Sequence, residues 1–197
     1  MLIDVYDFDG TIYDGDSTFD FVRFCIRRHP AMLLSLPRIA GVGLRLAAKR
    51  IGLTQFKSAL FGVMTRYMDL HAEAELFWQD PKTVGRLGEW FRSTPRDLPI
   101  VIASASPEFE LCHAAKILGV DNLIGTRADG ATGQLIGKNC KGAEKIERIR
   151  QMMGEYTVRA MYTDDAKADG PLLAIAQEKY IVTHGSVKRK WPSAAEG

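Results

Sequence analysis

The chain has 197 residues, of which 46% are hydrophobic and 25% are charged, and its formal net charge is +2. This balance is typical of a water-soluble globular protein, with one domain or one core and a small second lobe, which buries a core without disulfides or metals. So mild a positive charge gives no ground for predicting a nucleic-acid partner.

The three cysteines, Cys25, Cys112 and Cys140, are odd in number and include no close C-x-x-C pair. Neither a disulfide framework nor a zinc site is therefore predicted, and a reducing compartment, the cytoplasm, is expected. No signal peptide is recognised at the N-terminus. The stretch 31–53 is rich in Leu and Ala but interrupted by proline and arginine, so it is not expected to span a membrane. A helix at the inner membrane surface is the less favoured alternative.

The hydrophobic pattern predicts a short buried strand at Leu2–Phe8, then helices from about Ser17 to Trp90, and then alternating strands and helices. Alternation of this kind indicates a parallel sheet covered on both faces. The predicted fold is thus α/β, a doubly wound, Rossmann-like sheet with an inserted all-helical cap. The expected boundaries are 1–15 with 96–185 for the core, 16–95 for the cap and 186–197 for a loose tail.

Polar side chains follow the predicted strands at the points where those strands end. Asp7 and Asp9 come directly after the first strand, at i and i+2, and would share one face of a regular strand. Two close carboxylates repel unless a cation relieves them, and magnesium is the natural hard cation. Ser104 ends the second strand, where its hydroxyl and the free amide of Ala105 predict an anion-binding turn. Lys141, before a later helix, adds a positive charge.

These segments resemble, in order, the four motifs of the haloacid dehalogenase superfamily of phosphohydrolases. The D-x-D-G-T motif corresponds to Asp7–Thr11, and the hydrophobic strand ending in serine to Val101–Ser104. The motif lysine corresponds to Lys141. The G-D-x-x-x-D motif corresponds to Asp164–Asp169, with Asp164 in place of the usual glycine. The resemblance spans residues 3–173 and implies a magnesium-dependent phosphatase acting on a small phosphorylated molecule.

The resemblance also implies a role for each acid. Asp7 would be the nucleophile, and Asp9 would protonate the leaving group and then activate water. Magnesium would be held by Asp7, the backbone carbonyl of Asp9, and Asp165, although Asp164 stays open as the alternative ligand. Asp169 would support the lysine or the metal's water shell.

The remaining phosphate contacts would come from Ser104 and Lys141. The helical insert and Asp16 resemble the phosphoserine-phosphatase-like branch, in which a glutamate at the position of Asp16 touches substrate. For Asp16, a substrate contact and a hinge of the cap are equally weighted.

Three functions remain open at this point. The first is hydrolysis of a small phosphorylated metabolite. The second is hydrolysis of a lipid headgroup phosphate at a membrane surface, because the stretch 21–53 resembles bacterial phosphatidylglycerophosphate phosphatases of the same branch. The third is a non-catalytic relative that binds phosphate or a protein. The sequence predicts neither the substrate nor the oligomeric state.

Overall fold

The computed structural model describes residues 1–183 and 187–190. Strands are β1 (Leu2–Tyr6), β2 (Ile100–Pro107), β3 (Asn122–Thr126), β4 (Thr157–Thr163), β5 (Glu178–Thr183) and β6 (Val187–Lys190). Helices are α1 (Ser17–Arg28), α2 (Leu36–Ala47), α3 (Leu53–Met64), α4 (Leu70–Gln79), α5 (Pro81–Val84), α6 (Glu89–Arg92), α7 (Glu108–Leu118), α8 (Ala143–Met153) and α9 (Gly170–Ile175). A 3-10 helix at Pro30–Ser35 joins α1 to α2.

The described strands form one sheet in the order β3-β2-β1-β4-β5-β6. The first five are parallel, and β6 pairs antiparallel with β5 at the edge. The expected loose tail is therefore wrong for residues 187–190, because these residues find hydrogen-bonding partners along the open edge of β5. The rest of that tail, residues 184–186 and 191–197, lies outside the described residues.

The central strand β1 sets the position of the site. Tyr6, its last residue, pairs with Ile102 of β2 on one side and with Tyr162 of β4 on the other. The chain continues from all three points toward the same edge, so Asp7, Ser104 and the acids after β4 are delivered to one place, as expected for an open α/β sheet.

Helices cover both faces of the sheet, and the predicted doubly wound α/β fold is confirmed. On one face, Phe21 of α1 and Phe61 of α3 each pack edge-on against Phe109 of α7, within one hydrophobic cluster that also contains Tyr6. On the other face, a second cluster joins β1 to Ile149 of α8 and to α9.

The segment from α1 to α6 is helical, and it packs onto the sheet through the first of these clusters. The domain boundaries at 15/16 and 95/96 stay a prediction. Within the described residues, no helix combines the length and the apolar character needed to cross a bilayer.

Candidate active site

A cavity of about 610 Å³ lies at the carboxyl ends of β1, β2 and β4, beneath α1, α2 and α3. The site residues predicted from the sequence all contribute to its wall, and they are Asp7, Asp9, Asp16, Ser104, Ala105, Lys141, Asp164, Asp165 and Asp169. Residues from four separate segments of the chain are thus brought together in one site.

Asp7 is held by a buried lysine that the sequence analysis did not select. The Nζ atom of Lys145 lies 2.8 Å from Asp7 Oδ1 and 2.7 Å from Asp169 Oδ1. Asp169 is fixed on its other oxygen by a 2.8 Å hydrogen bond from the Thr163 hydroxyl. Burial lowers the pKa of Lys145, but the two carboxylates raise it more, so the lysine stays charged.

The lysine that contacts Asp7 is Lys145, whereas the expected contact of Lys141 with phosphate stays a prediction. Lys141 lies in the loop before α8 and is exposed, although it lines the cavity. Lys145 stands in the first turn of α8, on the same buried face as Ile149 four residues later. A lysine at a core position of an amphipathic helix was the available signal, since buried lysines are rare unless paired.

The net negative charge around Asp7 is larger than Lys145 can neutralise. Burial raises the pKa of Asp7 to about 7, and the nearby carboxylates of Asp169 and Asp9 add to the rise while Lys145 opposes it. A cation bound beside Asp7 would relieve this repulsion and keep the carboxylate ionised.

Asp9 is buried among three hydrogen-bond donors. Its Oδ1 atom accepts from the backbone N–H of Ser17 at 2.7 Å, and its Oδ2 atom accepts from the hydroxyls of Ser106 at 2.5 Å and Ser104 at 3.4 Å. Burial raises the pKa of Asp9, and the hydrogen bonds only partly offset that rise. A carboxyl group that holds its proton at higher pH is suited to act as a general acid.

Two oxygen atoms of the turn after Ser104 accept hydrogen bonds from within the protein. The Ser104 hydroxyl, only 1% exposed, accepts from the backbone N–H of Ser106 at 3.0 Å. The carbonyl of Ala105 accepts from Lys57 Nζ at 2.9 Å. Because β2 continues to Pro107, α7 begins only at Glu108 with Pro107 at its N-cap position, so Ser104 does not cap this helix.

A chain of hydroxyl groups leads from Asp9 to a buried glutamate. Thr18 Oγ1 lies 2.9 Å from Ser106 Oγ and 3.1 Å from Glu110 Oε2. Glu110 is fully buried on α7, and its Oε1 atom has no hydrogen-bond partner among the described residues. Burial raises the pKa of Glu110 to about 8, and Asp9 adds to the rise. No sequence motif marks Ser106, Thr18 or Glu110, because their partners lie far away along the chain.

The two acids after β4 occupy different surroundings. Asp164 Oδ1 accepts from the Thr11 hydroxyl at 3.3 Å. A Cβ atom at Gly10, whose φ is +71°, would lie 2.1 Å from Asp164 Oδ2, so only glycine fits there. The Asp164 carboxylate therefore lies beside Gly10, the residue that follows Asp9. Asp165 Oδ1 instead accepts from the backbone N–H groups of Lys167 and Ala168 and stabilises the turn.

Asp16 has a structural function in addition to its place in the cavity wall. It caps α1, with its Oδ1 atom accepting from the backbone N–H of Phe19 at 2.8 Å. This contact alone accounts for an aspartate at this position, since side-chain oxygens are favoured at helix N-caps. The contact of Asp16 with substrate stays a prediction.

The helices above the site offer the cavity an apolar wall with one lysine. The apolar side chains there are Phe19, Val22, Ile39, Leu53, Phe56 and Leu60. Among the described residues of α1, α2 and α3 that line the cavity, Lys57 is the one with a basic side chain. Burial lowers the pKa of Lys57.

The donors around the cavity suit magnesium. All acidic or metal-binding side chains among its described lining residues are aspartates, with neither histidine nor cysteine. Within the described part of the chain, no group of three or more such side chains is arranged to hold a metal. Magnesium, however, is bound through only one or two carboxylates together with water and substrate oxygens, so the residues present fit this ion.

Comparison with known proteins agrees with this arrangement. The family model described as haloacid dehalogenase-like hydrolase matches residues 5–173. Protein CicA of Caulobacter vibrioides is 32% identical over 194 residues, which covers 90% of this chain and 84% of the Caulobacter protein.

Solved structures share the fold. A Bordetella pertussis protein of unknown function has a TM-score of 0.74 at 21% identity, covering 90% of this chain and 88% of the other. A phosphoserine phosphohydrolase-like protein of Francisella tularensis has a TM-score of 0.58 at 16% identity, covering 91% and 86%. A probable phosphoserine phosphatase of Vibrio cholerae has a TM-score of 0.55 at 15% identity, covering 91% and 55%.

Proposed function

The chain belongs to the haloacid dehalogenase-like hydrolases, as its motifs predict, and we propose that it is a phosphatase that cleaves phosphate monoesters through an aspartyl-phosphate intermediate. The observation that carries this proposal is that two neighbouring acids have different partners. Asp7 is paired with the charged Lys145, whereas Asp9 accepts hydrogen bonds from hydroxyl groups, and burial raises the pKa of both carboxyls. Separated acid roles of this kind are what ester cleavage needs.

In the first step, a carboxylate oxygen of Asp7 attacks phosphorus and forms the acyl phosphate, while the ester oxygen leaves with the proton of Asp9. In the second step, Asp9 accepts a proton from the attacking water, and the oxygen of that water bonds to phosphorus as the bond to Asp7 breaks. Inorganic phosphate is released, and both acids return to their starting states. Lys145 keeps Asp7 in position, and its charge favours the ionised carboxylate that attacks in the first step.

Mg²⁺ would be held by Asp7, the backbone carbonyl of Asp9 and an acid after β4. We propose Asp164 for this third position because its carboxylate lies beside Gly10, whereas the motif resemblance favours Asp165, whose carboxylate is engaged by the turn at Ala168. Bound magnesium would neutralise charge on the phosphate oxygens. Ser104, the amide of Ala105, and Lys141 remain proposed contacts for those oxygens.

The experiment that tests the activity is release of phosphate from a generic aryl phosphate. We expect release with Mg²⁺, loss of release on adding a chelator, and recovery when Mg²⁺ is restored in excess. Release that is indifferent to the chelator would contradict the magnesium proposal, and failure to release phosphate from any ester would contradict the phosphatase proposal.

The substrate carries an apolar portion within reach of the cavity wall above Asp7, because that wall is apolar except for Asp16, Thr18 and Lys57. This observation favours the second candidate, a lipid headgroup phosphate, over the small phosphorylated metabolite predicted first. A phosphate-release screen across sugar phosphates, phosphoserine, nucleotides and phosphatidylglycerol phosphate separates the two. Activity on the soluble esters alone would contradict the lipid candidate.

A further inference from the structure

The segment 30–53, which contains the 3-10 helix and α2, is apolar and basic at once. Between Asp20 and Asp69 the sequence carries no acidic residue, and within 30–53 it carries Arg38, Arg45, Lys49 and Arg50. These four side chains are exposed. Three leucines of the same segment are also strongly exposed, with fractions of 82% for Leu34, 72% for Leu44 and 48% for Leu36. Packing within the fold does not account for leucines as exposed as these.

The helix α2 presents its apolar and its basic side chains on different sides. At about 3.6 residues per turn, Ile39, Val42 and Leu46 point to one side, where Ile39 and Val42 face α3. Leu36, Ala40 and Leu44 follow one another at i, i+4 and i+8 along a second side, which is exposed. Arg38 and Arg45 lie on a third side. No side chain of α2, all of which is described, is fully buried.

We propose that the docking face, formed by Leu33, Leu34, Leu36, Leu44, Arg45 and Lys49, binds the surface of an anionic lipid bilayer. An apolar stripe beside a basic stripe is the arrangement of helices that lie in the membrane interface. The leucines enter the boundary of the acyl chains, and the basic side chains contact lipid phosphates. This orientation requires no membrane-spanning helix.

The helix α2, which carries part of the docking face, also contributes to the wall of the catalytic cavity. Ile39 of α2 and Leu53 and Phe56 of α3 line that cavity, and Leu53 is itself 43% exposed. A docked protein would therefore receive its phosphate ester directly from the bilayer surface. This last step rests on the proposed phosphatase activity, whereas docking does not.

Two other occupants fit the docking face less well. A second copy of the chain would bring two basic faces together, and like charges at close range repel. A nucleic acid would find phosphate contacts but no bases to read or stack, because residues 30–53 contain no aromatic side chain. The exposed leucines would then face phosphate groups and would bury no apolar surface.

The test is co-sedimentation of the full chain with phosphatidylcholine vesicles that contain or lack phosphatidylglycerol. Two double variants of the docking face are compared, Leu34→Ser with Leu44→Ser and Arg45→Glu with Lys49→Glu. Matched controls change exposed residues elsewhere, Ile117→Ser with Ile136→Ser and Arg92→Glu with Lys116→Glu. Size-exclusion chromatography and hydrolysis of a soluble aryl phosphate are measured for each protein.

We expect the wild type and both controls to sediment with anionic vesicles only, and both docking-face variants to lose this binding while hydrolysing the aryl phosphate at the wild-type rate. Sedimentation independent of phosphatidylglycerol, or equal losses in the controls, would overturn the proposal. A dimer that the docking-face variants dissolve would assign the face to a second copy instead. Vesicle binding by a wild type that hydrolyses no phosphate ester would retain docking and overturn the proposed function alone.

Discussion

The ammonium group of Lys145 bridges Asp7 and Asp169, although Lys145 and Asp7 are separated by 138 positions in the chain. Only 3% of the Lys145 side chain and 14% of that of Asp7 are exposed. Removal of the lysine would leave two buried carboxylates without a counter-charge, which is the costly way to break a buried ion pair. The bridge is therefore a test of both the site and the fold.

Lys145→Met is expected to reduce kcat by about 10²–10³-fold, the range seen when one preorganised charge-stabilising group is removed. Lys141→Met, the matched control, is expected to reduce activity far less, since Lys141 is exposed and contacts neither acid. Steady-state hydrolysis of an aryl phosphate measures both, with circular dichroism to establish folding. An equal or larger loss in a folded Lys141→Met variant would restore Lys141 as the essential lysine.

Asp9→Asn removes the proposed proton donor but retains the hydrogen bond from the Ser17 backbone. We expect a loss of about 10²–10⁴-fold for an alkyl phosphate, because an alkoxide leaves poorly without a proton. The loss is expected to be smaller for an aryl phosphate whose phenol leaves readily. Asp14→Asn is the control, since Asp14 is exposed and outside the cavity wall. Equal losses for both ester classes would exclude Asp9 as the general acid.

The Mg²⁺ concentration at half-maximal rate, measured for two single variants, distinguishes Asp164 from Asp165 as the metal ligand. Because the Asp164 carboxylate lies beside Gly10 and is proposed as a ligand, Asp164→Asn is expected to raise the Mg²⁺ concentration at half-maximal rate by about 10-fold or more, the loss of one hard ligand. Asp165→Asn is expected to shift it less and to lower thermal stability by weakening the turn at Lys167 and Ala168. The reverse order of Mg²⁺ requirements would identify Asp165 as the ligand.

Glu110 is expected to make stability fall as pH rises. Its pKa is about 8 in the folded protein and about 4.5 as an ordinary glutamate, so between these values the folded state holds a proton that the unfolded chain has released. Glu110→Gln removes this dependence. As pH rises through this window, the free energy of unfolding of the wild type should fall relative to that of Glu110→Gln by up to about 1.4 kcal/mol per pH unit.

Urea denaturation at several pH values between those limits measures this difference. Glu75→Gln, a change at an exposed position of α4, is the control and should follow the wild type. A Glu110→Gln variant whose stability tracks the wild type in parallel across the window would show that Glu110 titrates normally.

Much of the fold and of the site follows from local patterns in the sequence. The strands before Asp7 and Ser104 are short apolar runs that end in polar residues, and parallel strands bring such ends to one edge. The helix α7 ends at Leu118, where Gly119 in the left-handed conformation stops it, as a glycine after an apolar helical pattern predicts. The strand β6 has no strand signal in its sequence, Val-Lys-Arg-Lys, and it depends on pairing with β5.

The residues that were missed depend on contacts between distant segments. Ser106 and Thr18 are 88 positions apart, and Thr18 and Glu110 are 92 apart, so no local pattern pairs them. The motif resemblance indicates Lys141 and gives no reason to select Lys145. Lys57 reaches the site only because α3 packs over the end of β2.

The most direct test of the central claim is the Mg²⁺-dependent release of phosphate from an aryl phosphate by Asp7→Asn, with Asp14→Asn as the control. Removing the nucleophile of a covalent mechanism should abolish release, since no other group takes its place in the first step. We predict that Asp7→Asn folds, as judged by circular dichroism, and releases no phosphate, while Asp14→Asn retains the wild-type rate. A folded Asp7→Asn variant with the wild-type rate would contradict the assignment of Asp7 as the nucleophile.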